Sequence, residues 1–509
     1  MILIMKKYIN GFFLAALLLG FVACSDDFLT VYPTESQEAG GDATEGAIMA
    51  NLAASYQILL FDSYANNNYN SIFLMSDLRS DDIFKGGGDA GDQGQLYRLS
   101  LLDATPDELP AGLWNIYYSG IARSNNVILA CDNAVDVPAE RVAEMRSEAL
   151  FLRAYYTHWL WKFWGNIPYF TDDLPEPYMA PQYSADQIYE FIMEDLDAII
   201  EIGALPMRTS ATNDGRASMA AVKMLRARVV MYQKDESRYP QVLADMTEIV
   251  TSGVYSLVDF AEIWSREGQF NDESIFEVNH LPGEYGGKTW ASGWQGFGTN
   301  FPAFISPNDL SDPDGVYKGG WGFGPVRPWV IDIFESGDVR RDASINQWDE
   351  DQYVQRFQDT GYFMAKYAAR VGYNEPPGDV DLNYENNLRI FRLAEAYLNI
   401  AELIVVHGQA AVGVSAEDAL AEIRERAGLG PIASTVENIK LERRREFLGE
   451  GMRFWDIVRW GDTHLLTENL SEFSSNRTWE SYKKYLPIPQ SEIDRTEGEF
   501  KLVQNPGYN

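Results

Sequence analysis

Residues 141–164 read RVAEMRSEALFLRAYYTHWLWKFW, and this stretch decides the fold class. Its apolar side chains recur in steps of three and four, at Val142, Met145, Ala149, Leu152, Tyr156, Trp159 and Phe163. A helix with this spacing carries one continuous apolar stripe, which has to be buried against a neighbour. The predicted neighbour is residues 113–130, with inward-facing side chains at Trp114, Tyr117, Ile121 and Ile128.

Helix boundary signals continue towards the centre of the chain. Ser184 and Gln187 have the spacing of a capping box, in which each side chain bonds the other residue's backbone N–H. Ser218 is a predicted N-cap of a further helix. Pro240 and Gly253 stand at the start and just past the end of another, which is the usual asymmetry of helix termini.

A second set of predicted helices lies near the C-terminus. Its stripe consists of Ile390, Leu393, Tyr397, Ala401 and Ile404. Ser415 with Asp418 opens a helix that Gly428 ends, and a charged helix follows at about 436–448. Paired amphipathic helices at this spacing predict a mostly α, tetratricopeptide-like helical-repeat scaffold over about 40–253 and 388–509.

The stretch between the two helical parts, residues 254–387, has a different character. Ser274–Val278 has the composition of a strand, and few other short strands are expected. Residues 282–329 are rich in Gly, Asn and aromatic residues and lack any helical period. A long irregular stretch in a compact protein is usually functional or disordered, and disordered segments are poor in aromatic residues. We therefore predict an ordered, ligand-binding insertion within a single domain, residues 24–509.

The first 23 residues have the pattern of a signal peptide. Lys6 and Lys7 precede an apolar run, residues 12–23, that is too short to span a bilayer. The run ends at Cys24, so we predict a lipoprotein signal with lipidation of Cys24. The alternative is an ordinary signal peptide followed by an incidental cysteine. The acidic residues after Cys24 resemble a signal for export to the cell surface.

Charge and chemistry narrow the possible functions. The chain has 41 basic and 75 acidic residues, a net charge of −34, so a nucleic-acid partner is not expected. The four histidines are scattered singly, without the spacing of zinc ligands. Residues 379–383 start like a calcium loop, but Tyr384 stands where that loop needs glycine. We therefore predict no metal site and no cofactor.

Six blocks of sequence resemble the SusD/RagB family of nutrient-binding outer-membrane lipoproteins. They are the lipoprotein start at 24–29, RSEALFLRAYY with WGNIP at 146–168, RLAEAYLNIAE at 392–402, IRERAGL at 423–429, ERRREF, EGMRFWD and RWG at 442–461, and YLPIPQSEID with QNPGY at 485–508. The resemblance implies an α-helical scaffold of four tetratricopeptide-like units with an irregular region. It also implies a lipid anchor in the outer membrane at the cell surface, a SusC-type TonB-dependent transporter as partner, and capture of oligosaccharides without cleavage.

The motif residues themselves are expected to be structural. Glu442, Arg445, Glu446 and Arg453 have helical spacings that suit ion pairs, and Trp455 and Trp460 are expected in the core.

The predicted ligand site combines aromatic platforms with polar groups, because rings cover the C–H faces of a sugar and polar side chains bond its hydroxyls. The candidates from the irregular region are Trp290, Trp294, Asn300, Tyr317, Trp321 and Trp329. The candidates from the 77–94 loop are Arg79, Asp81 and Asp82. The alternative for the tryptophans is that they fill the core of the irregular region. Alternative functions are a peptide-binding member of the family, a surface glycoside hydrolase or peptidase, and a purely structural or adhesive surface protein.

Overall fold

The computed structural model describes residues 41–508, apart from residues 63, 66–67, 70, 173, 175, 177 and 292–295. The predicted signal peptide, Cys24 and Trp294 therefore lie outside the described residues. Within the described ranges, no helix combines the length and the apolar composition that crossing a bilayer requires.

Helices dominate the described chain. In chain order they are α1 (Glu45–Tyr56), α2 (Ile72–Leu78), α3 (Gly94–Ser100), α4 (Gly112–Asp132), α5 (Ala139–Trp164), α6 (Ala185–Ile202), α7 (Met219–Gln233), α8 (Tyr239–Thr251), α9 (Phe301–Ile305), α10 (Arg340–Ser344), α11 (Leu393–Val405), α12 (Ala416–Arg426), α13 (Val436–Phe447), α14 (Arg453–Trp460) and α15 (Gln490–Arg495). The helices α1, α4, α5, α6, α7, α8, α11 and α12 pack in that spatial order, each against the next. This array confirms the predicted helical-repeat scaffold.

The strands are short and pair two by two. They are β1 (Tyr64–Ala65), β2 (Asn68–Tyr69), β3 (Ile167–Pro168), β4 (Gln182–Tyr183), β5 (Ser274–Val278), β6 (Ile345–Gln347), β7 (Tyr362–Met364), β8 (Leu388–Arg392), β9 (Glu468–Leu470) and β10 (Ser475–Arg477). The antiparallel pairs are β1–β2, β3–β4, β5–β8, β6–β7 and β9–β10. The prediction of few short strands is confirmed, including the bounds of β5.

The contact between α4 and α5 forms the centre of the apolar core, as the opening stretch of sequence predicts. Tyr156 of α5 is fully buried, its ring stacks on Tyr117 of α4 at 5.5 Å, and its hydroxyl donates to the carbonyl of Ser55 in α1 at 2.7 Å. The facing residue of α4 is Gly120, where a Cβ would lie 2.4 Å from the Tyr156 ring. The close approach of the two helices therefore requires glycine at position 120.

The predicted helix ends are confirmed by their hydrogen bonds. Ser184 and Gln187 form the reciprocal capping box at the start of α6, and Ser218 accepts from the Ala221 N–H at the start of α7. Ser415 caps α12 in the same way. These boundaries were predictable because each cap is made within four residues of chain.

Five details of the predicted stripes are wrong. Ile390 is not in a helix, since it lies in β8 and α11 begins three residues later. Strand β8 is held by pairing with β5, more than a hundred residues away, and a local period does not reveal such a partner. Four residues expected inward are only half-buried at the edge of the core: Ile128, Val142, Tyr397 and Ile404.

A buried network of ion pairs joins the irregular region to the C-terminal helices. Arg392, at the end of β8, bonds Glu273 at 2.5 Å, Glu446 at 3.0 Å and Glu450 at 2.8 Å. Lys366 also bonds Glu450, at 2.7 Å, and burial lowers the pKa of its ammonium to about 8. Each buried charge is compensated by partners that come from several parts of the chain.

The motif residues belong to this interior as predicted, with the exception of Trp460. Glu442 and Glu446 are fully buried and both bond Arg340 of α10, while Arg453 bonds Asp81 at 2.7 Å. Trp455 is buried and its indole N–H donates to Ser76 at 2.9 Å. Trp460 is half-buried and its indole N–H donates to Glu402 at 3.0 Å.

Candidate functional site

The loop that carries Trp290 is fixed at its base by close backbone contacts. Gly283 and Gly287 lie so near the carbonyl of Pro377 that a Cβ at either position would be 2.1 Å from that oxygen. The Lys288 N–H donates to Asn383 at 2.7 Å, and the Asn383 amide returns a bond to the Lys288 carbonyl at 2.9 Å. The loop is therefore preorganised just before Trp290.

Trp290 and Trp321 form a pair of indole rings at the surface. Their centroids are 6.0 Å apart and their planes differ by 30°. Trp290 is 40% exposed, whereas Trp321 is half-buried and rests edge-to-face on Phe304 at 5.0 Å. Two tilted rings, one outward and one supported from behind, make a curved apolar platform.

The support of Trp321 comes from α9 and the chain beside it. The Trp321 N–H donates to the Ala303 carbonyl at 2.7 Å, and the Gly320 N–H donates to the Pro307 carbonyl at 2.7 Å. A Cβ at Gly320 would be 2.2 Å from the Ala303 carbonyl oxygen, so only glycine allows this approach. The platform is thus built on short-range backbone bonds and close contacts.

Polar side chains bond the backbone of the two platform residues. The Asp379 carboxylate accepts the Trp290 N–H at 2.7 Å, and an Arg356 guanidinium nitrogen is 3.5 Å from the Trp321 carbonyl oxygen. Lys318 bonds the Asn374 side chain at 3.3 Å on the same stretch of chain as Trp321. Such groups have the donors and acceptors that hydroxyl-rich ligands require.

Other predicted aromatic residues lie in separate groups. Tyr317 is half-buried, packs edge-to-face on Trp348 at 5.8 Å and has the Arg370 guanidinium 5.3 Å from its ring. Trp329 is 39% exposed, and its ring centroid is 6.3 Å from that of Phe473. It packs against neither Trp290 nor Trp321. The irregular region thus distributes its rings over more than one surface.

The structure corrects the prediction for the polar candidates of the 77–94 loop. Arg79 is buried, its guanidinium donates to the Lys483 carbonyl at 2.6 Å, and it lies 3.9 Å from the centroid of the Phe454 ring. Burial lowers the pKa of Arg79 to about 10. This side chain joins the C-terminal segment to the scaffold and does not reach the platform.

Asp81 and Asp82 are corrected for a similar reason. Asp82 is buried and bonds Arg444 at 2.6 Å, and Asp81 forms a two-pronged pair with Arg453 at 2.7 and 3.0 Å. Burial alone would raise the pKa of Asp81, but Arg444 and Arg453 outweigh it and hold the pKa below its usual value. Both carboxylates therefore serve the interior.

Asn300 is also corrected, because it is buried at the residue before α9 and its carbonyl accepts the Phe304 N–H at 3.1 Å. Sequence reasoning missed Asp379 and Arg356, which bond the backbone of Trp290 and Trp321, and left out Tyr285, an exposed ring five residues before Trp290. The two charged residues had no local signal, since their relevance depends on contacts with Trp290 and Trp321. Tyr285 could have been included, as it lies within the aromatic segment 282–329.

An apolar cleft of about 350 Å³ beside α1 is a competing location for a ligand. Its walls include Leu60, Val278 and Phe297. Two of its charged members are already engaged: Arg216 bonds Glu148, and Glu277 accepts from the Asn387 amide at 2.9 Å. The Trp290–Trp321 platform offers more exposed ring area and nearby polar groups, so we place the candidate site there.

The fold and this platform define a ligand-binding protein built on a helical-repeat scaffold. More particularly, the chain belongs to the SusD family. Residues 339–508 match the model of the SusD family, and residues 27–231 match a model described as starch-binding associating with outer membrane. The resemblance inferred from the sequence motifs is thereby confirmed.

Solved structures similar to this chain span nearly its whole length. Surface glycan-binding protein A from Bacteroides fluxus is 58% identical, with a TM-score of 0.88, over 92% of this chain and 100% of that one. Surface glycan-binding protein A from Bacteroides thetaiotaomicron in complex with laminarihexaose is 38% identical, with a TM-score of 0.85, over 91% of this chain and 100% of that one. The starch-binding protein SusD of Bacteroides thetaiotaomicron is 24% identical, over 99% of each chain.

Proposed function

We propose that this chain is a cell-surface glycan-binding lipoprotein that holds a neutral oligosaccharide on the Trp290–Trp321 platform. It delivers this ligand to a SusC-type TonB-dependent transporter in the outer membrane. The observation that carries the proposal is the pair of indole rings at the surface, with centroids 6.0 Å apart, on two loops fixed by glycine contacts. Rings at this spacing can cover the C–H faces of neighbouring sugar units, and ring contact supplies affinity without a charge.

The proposed ligand class is a glucan oligosaccharide of the laminarihexaose type. Support comes from the 38% identical relative whose structure contains laminarihexaose, and from a 30% identical relative described as a laminarin-binding SusD-like protein. The net charge of −34 also favours a neutral glucan, because it gives an anionic polysaccharide no general attraction. Starch-type glucans and peptides are the alternatives that a binding assay separates.

We propose that the protein binds the oligosaccharide without hydrolysing it, because the carboxylate beside the platform already has a structural hydrogen bond. Asp379 accepts the backbone N–H of Trp290 at 2.7 Å, so it is committed to holding the loop. Glycoside hydrolases need two carboxyl groups free to flank the scissile bond. The printed names of the relatives likewise describe binding and not cleavage.

Attachment to the membrane is proposed through Cys24. The family description of an association with the outer membrane supports this, and so does the apolar run that ends at Cys24. Two or more acyl chains are sufficient for stable anchoring, since each buried CH₂ contributes about 0.8 kcal/mol. The protein would then present its platform outside the cell beside the transporter.

Trp290→Ala is the sharpest test of the proposed function. Removing an exposed platform ring should weaken binding of laminarihexaose by roughly ten- to hundredfold, or about 1–3 kcal/mol. The melting temperature should hardly change, because the ring already contacts water. Calorimetric titration measures the affinity and differential scanning calorimetry measures the melting temperature of the same samples.

The matched control is Tyr178→Ala, which removes a ring that is 74% exposed between β3 and β4. This variant should bind like the unchanged protein. Unaltered affinity in Trp290→Ala, with normal affinity in the control, would show that the platform is not the binding site. Cleavage of laminarihexaose by the purified protein would instead favour a hydrolase.

A further inference from the structure

A second concave surface lies under the hairpin β6–β7. The loop of this hairpin, residues 348–361, forms one side of a cleft of about 640 Å³, and Pro328 and Phe473 form the other. That volume is within the range of about 300–1,000 Å³ of ordinary small-molecule sites. The cleft contains neither Trp290 nor Trp321, so the platform does not account for it.

The walls of this cleft are held in place by hydrogen bonds. The Gln358 side chain accepts the N–H groups of Lys85 at 3.0 Å and Gly86 at 3.2 Å, and donates to the Phe473 carbonyl at 2.6 Å. The Thr360 hydroxyl donates to the Val326 carbonyl at 2.7 Å. The cleft is therefore preformed, and a ligand would not have to order a loose loop.

The lining combines rings with polar side chains. Trp348, Tyr353, Tyr362 and Phe473 contribute the rings. Gln347, Gln355 and Arg356 contribute exposed amide and guanidinium groups, and Asp349, Glu350, Asp359 and Glu472 contribute carboxylates. Carboxylates outnumber the single guanidinium in this lining, so an anionic ligand would be repelled and a neutral one would not.

One further observation points to a ligand. Trp329, 39% exposed, stands at the edge of the cleft, since Pro328 before it and its ring neighbour Phe473 both line the cleft. A large ring held outward beside polar groups is the arrangement found at the first platform.

We infer that this cleft is a second saccharide-binding site, which takes a neutral oligosaccharide against Trp329 and the rings of the hairpin loop. The inference rests on the proposed function, because both sites would hold the same class of ligand. Arg356 connects the two: it lines the cleft and its guanidinium is 3.5 Å from the Trp321 carbonyl oxygen. One long glucan chain could engage both sites, and the second contact would then add avidity without raising the affinity of either site.

Hydrogen–deuterium exchange of the mature protein with laminarihexaose tests this inference. The expected result is saturable protection in two regions, residues 283–291 with 317–323 and residues 347–362 with 468–477. In Trp290→Ala, protection should be lost in the first region and retained in the second. In the double variant Trp329→Ala, Gln347→Ala, the pattern should be reversed.

Gel retardation by laminarin adds a measurement of avidity. Either variant should weaken retention by the polymer roughly tenfold or more, although each leaves one site for the hexasaccharide. If the double variant melts at a lower temperature, Gln347→Ala alone, at an exposed position, provides the same readout.

Protection confined to residues 283–291 and 317–323, with unchanged polymer retention in the cleft variants, would overturn the second site and leave the proposed function intact. Absence of both protection and retention in the unchanged protein would overturn the proposed function, and the second site with it.

Discussion

Gly120→Ala should destabilise the protein, although the same change in an ordinary helix is stabilising. Alanine is favoured over glycine within a helix by about 0.8–1.0 kcal/mol. At position 120, however, the new Cβ would lie 2.4, 2.6 and 2.8 Å from three atoms of the Tyr156 ring. Carbon atoms normally approach no closer than about 3.5 Å, so α4 and α5 would have to separate.

The ring cannot move aside at low cost. Tyr156 is fully buried, its hydroxyl is bonded to the Ser55 carbonyl at 2.7 Å, and its face is stacked on Tyr117. Adding a methyl group to a packed core typically costs about 1–3 kcal/mol. A clash against a ring pinned on two sides belongs at the upper end of that range. Subtracting the gain in helix propensity leaves an expected net loss of about 2 kcal/mol.

Chemical denaturation followed by circular dichroism measures this loss. The matched control is Gly46→Ala in α1, because a Cβ there has no heavy atom within 4 Å and the residue is exposed. That variant should gain a few tenths of a kcal/mol, up to about 1. In protein that already has Tyr156→Ala, adding Gly120→Ala should cost little further stability, because the ring that clashes with the new methyl group is gone. If Gly120→Ala stabilises the protein as Gly46→Ala does, the close packing of α4 on α5 is not as described.

Three further outcomes are expected. Tyr156→Ala should lower the free energy of unfolding by about 3–5 kcal/mol in denaturant titrations, since it empties a buried ring site; a loss below 1 kcal/mol would mean that the ring is not buried. Glu402→Gln should cost about 1.5–3 kcal/mol at pH 7, because Arg459 loses one of its two buried carboxylate partners and keeps Asp456. Burial alone would raise the pKa of Glu402, but Arg459 outweighs it and holds the pKa below its ordinary value. The ion pair therefore stabilises the folded protein fully above about pH 4.3, the pKa of an unfolded glutamate, and this stabilisation is lost as the pH falls further. The stability gap between this variant and the unchanged protein should therefore narrow in melts below pH 4, and a constant gap would contradict the ion pair. Cys24→Ala should move the protein from the membrane fraction into the soluble fraction on detergent partitioning, and unchanged partitioning would rule out the lipid anchor.

Local chemistry made much of the scaffold predictable. The Ser184–Gln187 capping box and the stripe along α5 depend only on residues that are close in sequence, so the pattern alone predicts them. The pattern gave a wrong prediction at Ile390, because its three-residue step to Leu393 fits a helix, whereas pairing with β5 places Ile390 in a strand. Local periodicity contains no information about a partner that lies far along the chain.

The candidate site was only partly predictable for the same reason. Arg79 and Asp81 had the composition of a polar ligand loop, and charged residues are usually exposed. Their partners are Lys483, 404 residues after Arg79, and Arg453, 372 residues after Asp81. The aromatic richness of residues 282–329 did indicate a surface of exposed rings. Which rings meet, as Trp290 and Trp321 do, depended on the folded path of the loops.

The buried ion pairs around Arg392 also have a consequence for cooperativity. In a linear array of helices each unit touches mainly its neighbours, so the ends can fray and segments can melt separately. Arg392, Glu446 and Glu450 counteract this, because releasing α13 and the turn after it would leave the buried Arg392 guanidinium with only Glu273 of its three carboxylate partners. Such a loss costs several kcal/mol, more than the gain from freeing one helix end. We therefore expect melting of the C-terminal helices to be coupled to melting of β8 and β5, so that the surface carrying the Trp290 and Trp321 loops stays assembled until the whole scaffold opens.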